Sequence, residues 1–571
     1  MMRDLASAPE DLVEVIPRLR IFRNRWVAFH ADTGSQLIIA QILVGVPALY
    51  LLVDAVVRWS ATPVPILMKI LLTLGVWAGF FLRLRSFYCG ISKEDIVVVC
   101  VLLTGSFLFL ASFYDTSWDG TSYHLPASLA IYAGWNPIYG KSVVSLANLH
   151  ANGIWTIRAA LYALFATVEG AKVFNVALLL AALFSLCAAF TALLGRPLRA
   201  LELGLVYALV SNPVATAQIP TFYVDGNVFS LGVVTITATL LIASSHRRIA
   251  LGLLAAATVL LLGAKITAAV FALVLPAAAA LSIWRRVSSW RIPAVVMLSA
   301  YALGTVVIGF RPYITNPLEY GHLVELGPGS NVGRPDRLAH TPPPVMLLAS
   351  VFSRTDDYAV VRLKWPFLVS RIEMRPVGSP GPRVGGFGPF FALELCLSLA
   401  AAGVAFLSRG SGFEPVTRPF FVLAGLLALI CAVFPEPWAA RYVPFFWMVP
   451  GLIAFAVCAS ANMPALSRFL VAAVLVLALL NGGLAFAGNA ARTVLGDWRT
   501  RVLLKDLASR QKEILIVPIP NRSFEITAAH RLTGMNIPYK IIEPILSNGS
   551  LPNACATVVA SARIYYCTAR P

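Results

Sequence analysis

The stretch IVVVCVLLTGSFLFLASFYDTSWDGTSYHLP, residues 96–126, joins an apolar run to a polar one. Residues 96–113 carry no charge, while residues 114–126 bring Asp115, Asp119 and His124 together. A helix needs about 20 apolar residues to cross a bilayer, and the uncharged half is close to that length. The polar half then falls where such a helix would leave the membrane. Carboxylates there are costly unless they are paired, solvated or functional.

The same pattern recurs along the 571 residues, of which 58% are hydrophobic and 13% charged. Soluble domains carry about 25% charged residues, so the composition excludes an ordinary soluble enzyme and indicates a polytopic membrane protein. Candidate spans are 36–57, 64–84, 95–113, 172–194, 200–217, 222–243, 249–263, 265–283, 291–310, 389–408, 418–435, 440–460 and 465–487. The expected fold is an all-α bundle of about thirteen transmembrane helices. Segment 150–168 is amphipathic and interrupted by Arg158, and reads as a helix lying in the interface rather than a span.

The net charge of +18 is not gathered in one basic patch, which argues against a nucleic-acid partner. Basic residues fall in small groups between apolar runs: Arg18, Arg20, Arg23 and Arg25; Arg83, Arg85 and Lys93; Arg196 and Arg199; Arg247 and Arg248; Arg285, Arg286 and Arg291; Arg409 and Arg418. With the spans above, all lie on one side, which the positive-inside rule assigns to the cytoplasm. The first 35 residues are polar and basic, and the apolar run after them is too long for a cleavable signal. Three regions follow: a basic cytoplasmic segment 1–35, a membrane domain 36–488 with exterior loops 114–171 and 311–388, and a small exterior α/β unit over 489–571. The carboxy terminus is expected outside. High alanine, arginine and proline usage suggests a GC-rich bacterial genome, hence the bacterial inner membrane.

Cysteine spacing shows no CxxC or CxxH pattern, so no metal site is expected. Cys555 and Cys567 flank ATVVASARIYY symmetrically about Ser561, as facing positions of a hairpin would. An exterior compartment would permit a disulfide between them.

Several residues at the expected outer ends of spans could carry chemistry. Asp115 and Asp119 are four apart, so a helix would stack them on one face; a partly desolvated carboxylate there gains basicity. The alternative is that Asp119 or Thr121 caps the next helix. His124 could shuttle a proton or orient a phosphate, or be a hydrogen-bonded interfacial histidine. Asp225 opens an apolar run as a second acidic position, or as another cap. Lys265 interrupts LLLGAKITAAVFALVL and requires a partner or polar cavity; as a point charge it suits a phosphate. Arg311 and Tyr313 in GFRPYITN, and Arg441 and Tyr442 in PEPWAARYVPFF, stand at helix ends where arginines could clamp a phosphate. The alternative pairs each arginine with a carboxylate neighbour, such as Glu436 for Arg441. The basic residues of loop 311–388 are either scattered solvated charges or a surface for anionic headgroups or a phosphate-bearing substrate.

Together these residues resemble the GT-C class of integral-membrane glycosyltransferases. The resemblance lies in FYDTSWDGTSYHLPASLAIYAGWNPIYG, in FYVDG after a later span, and in WAARYVPFF, and it covers residues 95 to 487. It implies a polyprenyl-phosphate-linked sugar donor used on the exterior face, with a glycan, lipid or protein acceptor. It carries the catalytic base onto Asp119, with Asp115 the competitor, places Asp225 at a second acidic position, and sets Arg441 near donor phosphate. The expected reaction is inverting transfer to an acceptor hydroxyl without a required cofactor. Two departures from the class are that two spans precede the acidic loop and that TSW separates the first aspartates. The rival readings are a transporter or lipid flippase, and a non-catalytic GT-C-like assembly subunit.

Overall fold

Two of the described helices begin at a polar side chain that satisfies free backbone N–H groups. Asp32 caps helix Thr33–Trp59 by accepting from the N–H of Gly34 at 2.9 Å and of Ser35 at 3.3 Å. Asn212 caps helix Pro213–Ala217 through the Val214 N–H at 2.8 Å, with Pro213 in the first turn. The computed structural model describes residues 32–83, 93–323, 338, 340–356, 360–382, 384–409, 414–510, 514–516, 523–541, 555–559 and 564–567. The basic residues before position 32, and Arg85, Arg334, Arg337 and Arg383, lie outside them.

Every expected span holds a helix. Among the described residues, seven are long and apolar enough to cross a membrane: Thr33–Trp59, Glu94–Ala111, Glu169–Leu194, Arg247–Ala264, Arg291–Ile308, Phe391–Ser408 and Ala465–Asp506. Shorter apolar helices, Ile66–Gly79, Ala200–Val210, Asp225–Leu241, Ala268–Ser282, Arg418–Val433 and Pro444–Ala459, occupy the remaining expected spans. One continuous core of buried apolar side chains binds them into a single bundle. The chain is thus an all-α, multi-pass bundle with a small sheet at its carboxy terminus.

The two ends of the bundle differ in chemistry. At one end arginines tie the connections: Arg199 donates to the Cys458 carbonyl at 2.5 Å, Arg286 to the Pro415 carbonyl at 3.1 Å, and Arg196 pairs with Glu202 at 2.6 Å. At the other end the 112–172 loop, the 218–225 turn, the break at Lys265, the 311–316 and 378–386 segments and the 436–442 turn converge. Helix Gly153–Phe165 lies across that end. Its first residue packs on the end of helix Arg247–Ala264, where a Cβ on Gly153 would come within 2.8 Å of Gly263 Cα. Its last ring, Phe165, meets Phe107 at 4.8 Å. Its residues from Gly153 to Ala160, Arg158 among them, are buried against the bundle.

The last helix departs from expectation. It runs without interruption from Ala465 to Arg510, 46 residues or about 69 Å, so the boundary drawn at 488/489 falls inside it. Beyond it, strands pair in the order Tyr539–Ile541, Ile514–Ile516, Ile564–Cys567, Cys555–Val559. The first pair is parallel, with helix Phe524–Gly534 as the crossover, and the others are antiparallel. Cys555 and Cys567 are directly opposed in the hairpin register; their side chains, and so the disulfide, lie outside what is described. Helix Phe524–Gly534 also docks on the bundle. The Ser523 N–H donates to the Ser122 carbonyl at 3.0 Å, and Thr527 Oγ1 to the Thr121 carbonyl at 2.8 Å.

Candidate functional site

Residues 114–117 form no helix and helical geometry starts only at Trp118, so Asp115 and Asp119 do not stack on one face. Asp115 turns inward and is fully buried. Its Oδ1 accepts from the Ser117 N–H at 2.8 Å and its Oδ2 from the Phe222 N–H at 2.7 Å. Burial pushes its carboxyl above the ordinary range, opposed by nearby Lys172. Around it, Glu169 accepts the Asp115 N–H at 3.0 Å and pairs with Lys172 at 2.8 Å and with Arg531 at 3.3 Å. Arg531 also donates to the Asp115 carbonyl at 2.5 Å. Asp115 is therefore an anchor that joins the acidic loop to the 222 turn and to the carboxy-terminal helix.

Asp119 points the other way. Its Oδ2 lies 3.3 Å from Arg441 Nη1, and its N–H donates to the Tyr223 hydroxyl at 3.3 Å. It makes no side-chain cap bond, nor does Thr121, whose hydroxyl donates to the Ser117 carbonyl at 2.7 Å. The capping alternative thus does not describe either residue.

Asp225 opens helix Asp225–Leu241 without capping it. Its Oδ1 pairs with Lys265 Nζ at 2.5 Å, and its Oδ2 accepts from Gln218 Nε2 at 3.2 Å. Lys265 stands in the break between helices Arg247–Ala264 and Ala268–Ser282, with extended backbone at φ −160° and ψ 145°. The Tyr313 hydroxyl braces that break, reaching the carbonyls of Leu262 at 2.9 Å and Lys265 at 3.2 Å. Tyr313 thus holds the backbone from which Lys265 projects.

Tyr442 lies between two cations. Lys265 Nζ and Arg441 Cζ each sit 5.1 Å from its ring centroid, within cation–π range. Arg441 is lightly bonded. Nη1 reaches Asp119 and Nη2 the Tyr442 hydroxyl, both at 3.3 Å, while its buried Nε has no partner among the described residues. Glu436, the carboxylate neighbour expected from the sequence, accepts from Trp438 Nε1.

Arg311 belongs elsewhere. Its donors go to the carbonyls of Pro137 at 3.0 Å and Asn148 at 3.4 Å and to Glu319 at 3.2 Å. It ties the 137–148 segment to the 311–319 segment and does not join the cluster of Asp119, Asp225, Lys265 and Arg441. His124 sits beneath that cluster. Its Nδ1 accepts from Trp155 Nε1 at 2.9 Å, which places the ring proton on Nε2. Burial, and then the Arg158 charge, push it well below the ordinary histidine range, so it is neutral.

Several contributors were not singled out from the sequence. Tyr223 joins Asp119 to the turn that Arg158 braces by donating to the Tyr223 carbonyl at 3.0 Å. Tyr123 lies beside His150, with centroids 5.4 Å apart and the rings tilted by 41°. His150 binds the Leu146 carbonyl through Nδ1 at 2.8 Å, which leaves Nε2 as the acceptor. Gln218 bridges Asp225 and the Pro380 carbonyl, the latter at 2.7 Å. At the next residue a Cβ on Gly381 would lie 3.2 Å from the Tyr223 ring and 3.3 Å from Arg441 Nη1, so only backbone passes there. Their places within the two acidic stretches, beside Asp119 and Asp225, were the available signal for Tyr123 and Tyr223; nothing local marks His150 or Gly381.

No protein-family model matches the chain, and no curated protein does. Among solved structures the chain is similar to ArnT from Cupriavidus metallidurans, whose crystal structure is bound to undecaprenyl phosphate. The likeness has a TM-score of 0.43 at 13% identity, over 83% of this chain and 98% of that one.

Proposed function

We propose that the protein is a GT-C-type glycosyltransferase that moves a sugar from a polyprenyl-phosphate donor to an acceptor hydroxyl on the exterior side of the bacterial inner membrane. The observation that carries the reading is the pairing of Asp119 with an under-bonded Arg441, beside Asp225 and Lys265, at the mouth of an apolar bundle. An isoprenoid phosphate has the matching chemistry: a chain that belongs in lipid and an anionic head that belongs among cations at its surface. A guanidinium with spare N–H groups can take a phosphate oxygen pair, and Lys265 supplies a second charge.

In the proposed step the acceptor oxygen attacks the anomeric carbon from the face opposite the phosphate. The new C–O bond forms as the bond to phosphate oxygen breaks, with inversion. Asp119 takes the hydroxyl proton, and the bonding electrons leave on the phosphate, where Arg441 and Lys265 offset the growing charge. Asp225 holds Lys265 in place, and Tyr442 spaces the two cations.

A comparison of envelope glycans by mass spectrometry tests the reading, in a deletion strain carrying wild type or Asp119→Asn at matched protein level. The expected result is a sugar lost on deletion, restored by wild type and not restored by Asp119→Asn. Full restoration by Asp119→Asn removes Asp119 as base. A deletion that changes no glycan points instead to transport or an assembly role.

A further inference from the structure

In the loop between Tyr313 and Phe391, residues 363–375 bury an ion pair while exposing large apolar side chains. Lys364 and Glu373 form an ion pair with side chains only 3% and 0% exposed, and Lys364 also donates to the Pro389 carbonyl at 2.8 Å. The apolar residues face outward: Trp365 is 69% exposed, Phe367 67% and Ile372 68%, and Leu368 and Met374 are exposed beside them. The Trp365 and Phe367 rings stack on each other at 6.3 Å, an aromatic face with nothing over it among the described residues. A segment surrounded by water places its charges outward and its rings inward. This arrangement suits the opposite surroundings.

Its height on the bundle is fixed by a close backbone contact. Gly378 packs on Gly488, where an added Cβ would come within 2.5 Å of the Gly488 carbonyl carbon. Gly488 lies at the site-side end of the apolar part of helix Ala465–Arg510, whose Phe469 and Val476 are exposed as bilayer-facing residues would be. The 363–375 segment therefore sits where acyl chains give way to headgroups. Arg362, Arg371 and Arg375 are exposed along it, at the position where basic side chains reach from an apolar surface to lipid phosphate.

We infer that residues 363–375 are a membrane-seated arm, with Trp365, Phe367 and Ile372 among acyl chains and Arg362, Arg371 and Arg375 on the headgroups of anionic phospholipid. The partner is bulk lipid of the site-side leaflet. The arm runs on within a few residues to Pro380 and Gly381, which meet Gln218, Tyr223 and Arg441. Its seating in lipid thus sets the position of one wall of the cluster.

The test uses the full chain in nanodiscs of phosphatidylcholine with and without phosphatidylglycerol. In a Phe367→p-benzoylphenylalanine variant, irradiation should add the mass of a diacyl phospholipid to the protein. An unmodified chain, a crosslink to another polypeptide or an adduct of co-purified polyprenyl phosphate overturns the inference. In a second arm, Arg362→Gln, Arg371→Gln and Arg375→Gln are combined, and lipids retained on the protein are weighed by native mass spectrometry. Enrichment of phosphatidylglycerol over phosphatidylcholine should fall about fivefold for each arginine removed, and an unchanged ratio overturns the anionic assignment. Neither readout depends on enzymatic activity, so failure of the glycosyltransferase reading leaves both arms interpretable.

Discussion

Lys265→Met separates a structural ion pair from a phosphate site. Asp225 has a side chain only 5% exposed, and without Lys265 its remaining side-chain partner is Gln218 at 3.2 Å. Removing one member of a buried pair costs about 3–5 kcal/mol, because the other charge stays buried and uncompensated. Loss of the Lys265 contact with the Tyr442 ring adds about 0.5–2 kcal/mol. Replacing both partners, Lys265→Met with Asp225→Asn, leaves no orphan charge, and the amide introduced at position 225 can still accept from Gln218 Nε2. The double variant should therefore recover most of the stability lost by the single one. Thermal unfolding of the purified protein followed by tryptophan fluorescence gives the order: wild type and double variant close together, Lys265→Met well below. Polyprenyl-phosphate binding, measured by native mass spectrometry, should behave differently. A charge-assisted hydrogen bond is worth about 1.5–3 kcal/mol, so binding falls about tenfold or more in the double variant despite its stability. A Lys265→Met protein as stable as wild type refutes the coupling. Undiminished binding by the double variant refutes the phosphate role and leaves a purely structural pair.

Three further outcomes follow from the acidic loop. Gly120→Ala puts a Cβ 2.0 Å from Asp115 Oδ2 and 2.3 Å from Ser117 Oγ, a clash inside a buried turn; it should cost about 1–3 kcal/mol and lower the unfolding midpoint, whereas Gly425→Ala, with open space around it and an ordinary helical backbone, should cost less. Arg531→Gln removes the bonds to Glu169 and to the Asp115 carbonyl, so hydrogen exchange over residues 114–122 should quicken, with Arg531→Lys partly restoring protection. His124 is neutral when folded because its proton affinity is lowered; the unfolded side chain, near pKa 6.5, binds more protons below about pH 6.5, so stability should be full above that pH and fall beneath it. Unfolding midpoints across that range should show the fall in wild type and less of it in His124→Gln.

The bundle was legible because a bilayer imposes a length on every apolar run, and because arginines gather at one end of it. Arg196, Arg199, Arg247 and Arg286 hold the connections on that end, as their sequence grouping indicated. The carboxy-terminal docking was not legible. Apart from the Arg531–Glu169 pair, its polar contacts go to the carbonyls of Asp115, Thr121 and Ser122, and a backbone acceptor leaves no mark on residue type. The continuation of the last helix to Arg510 was missed for a related reason: the hydropathy falls after 487 while helical geometry persists, so an apolar window reports the membrane and not the helix end.

The site shows where charge placement informs and where it does not. Asp119, Asp225, Lys265 and Arg441 were each conspicuous as ionisable residues at the ends of apolar runs, and they meet. Arg311 was conspicuous for the same reason and does not join them. The difference lies in how each guanidinium is occupied. Arg311 distributes its donors, Nε included, among two carbonyls and a carboxylate. Such a residue fastens segments together, and an incoming anion would have to displace those bonds. Arg441 holds its two partners at 3.3 Å with Nε unbonded among the described residues. A buried donor without a partner carries the cost of lost hydration, and an anion arriving there relieves it. That difference between Arg311 and Arg441, and not the presence of an arginine at a helix end, is the reason for proposing Arg441 and not Arg311 as the phosphate ligand.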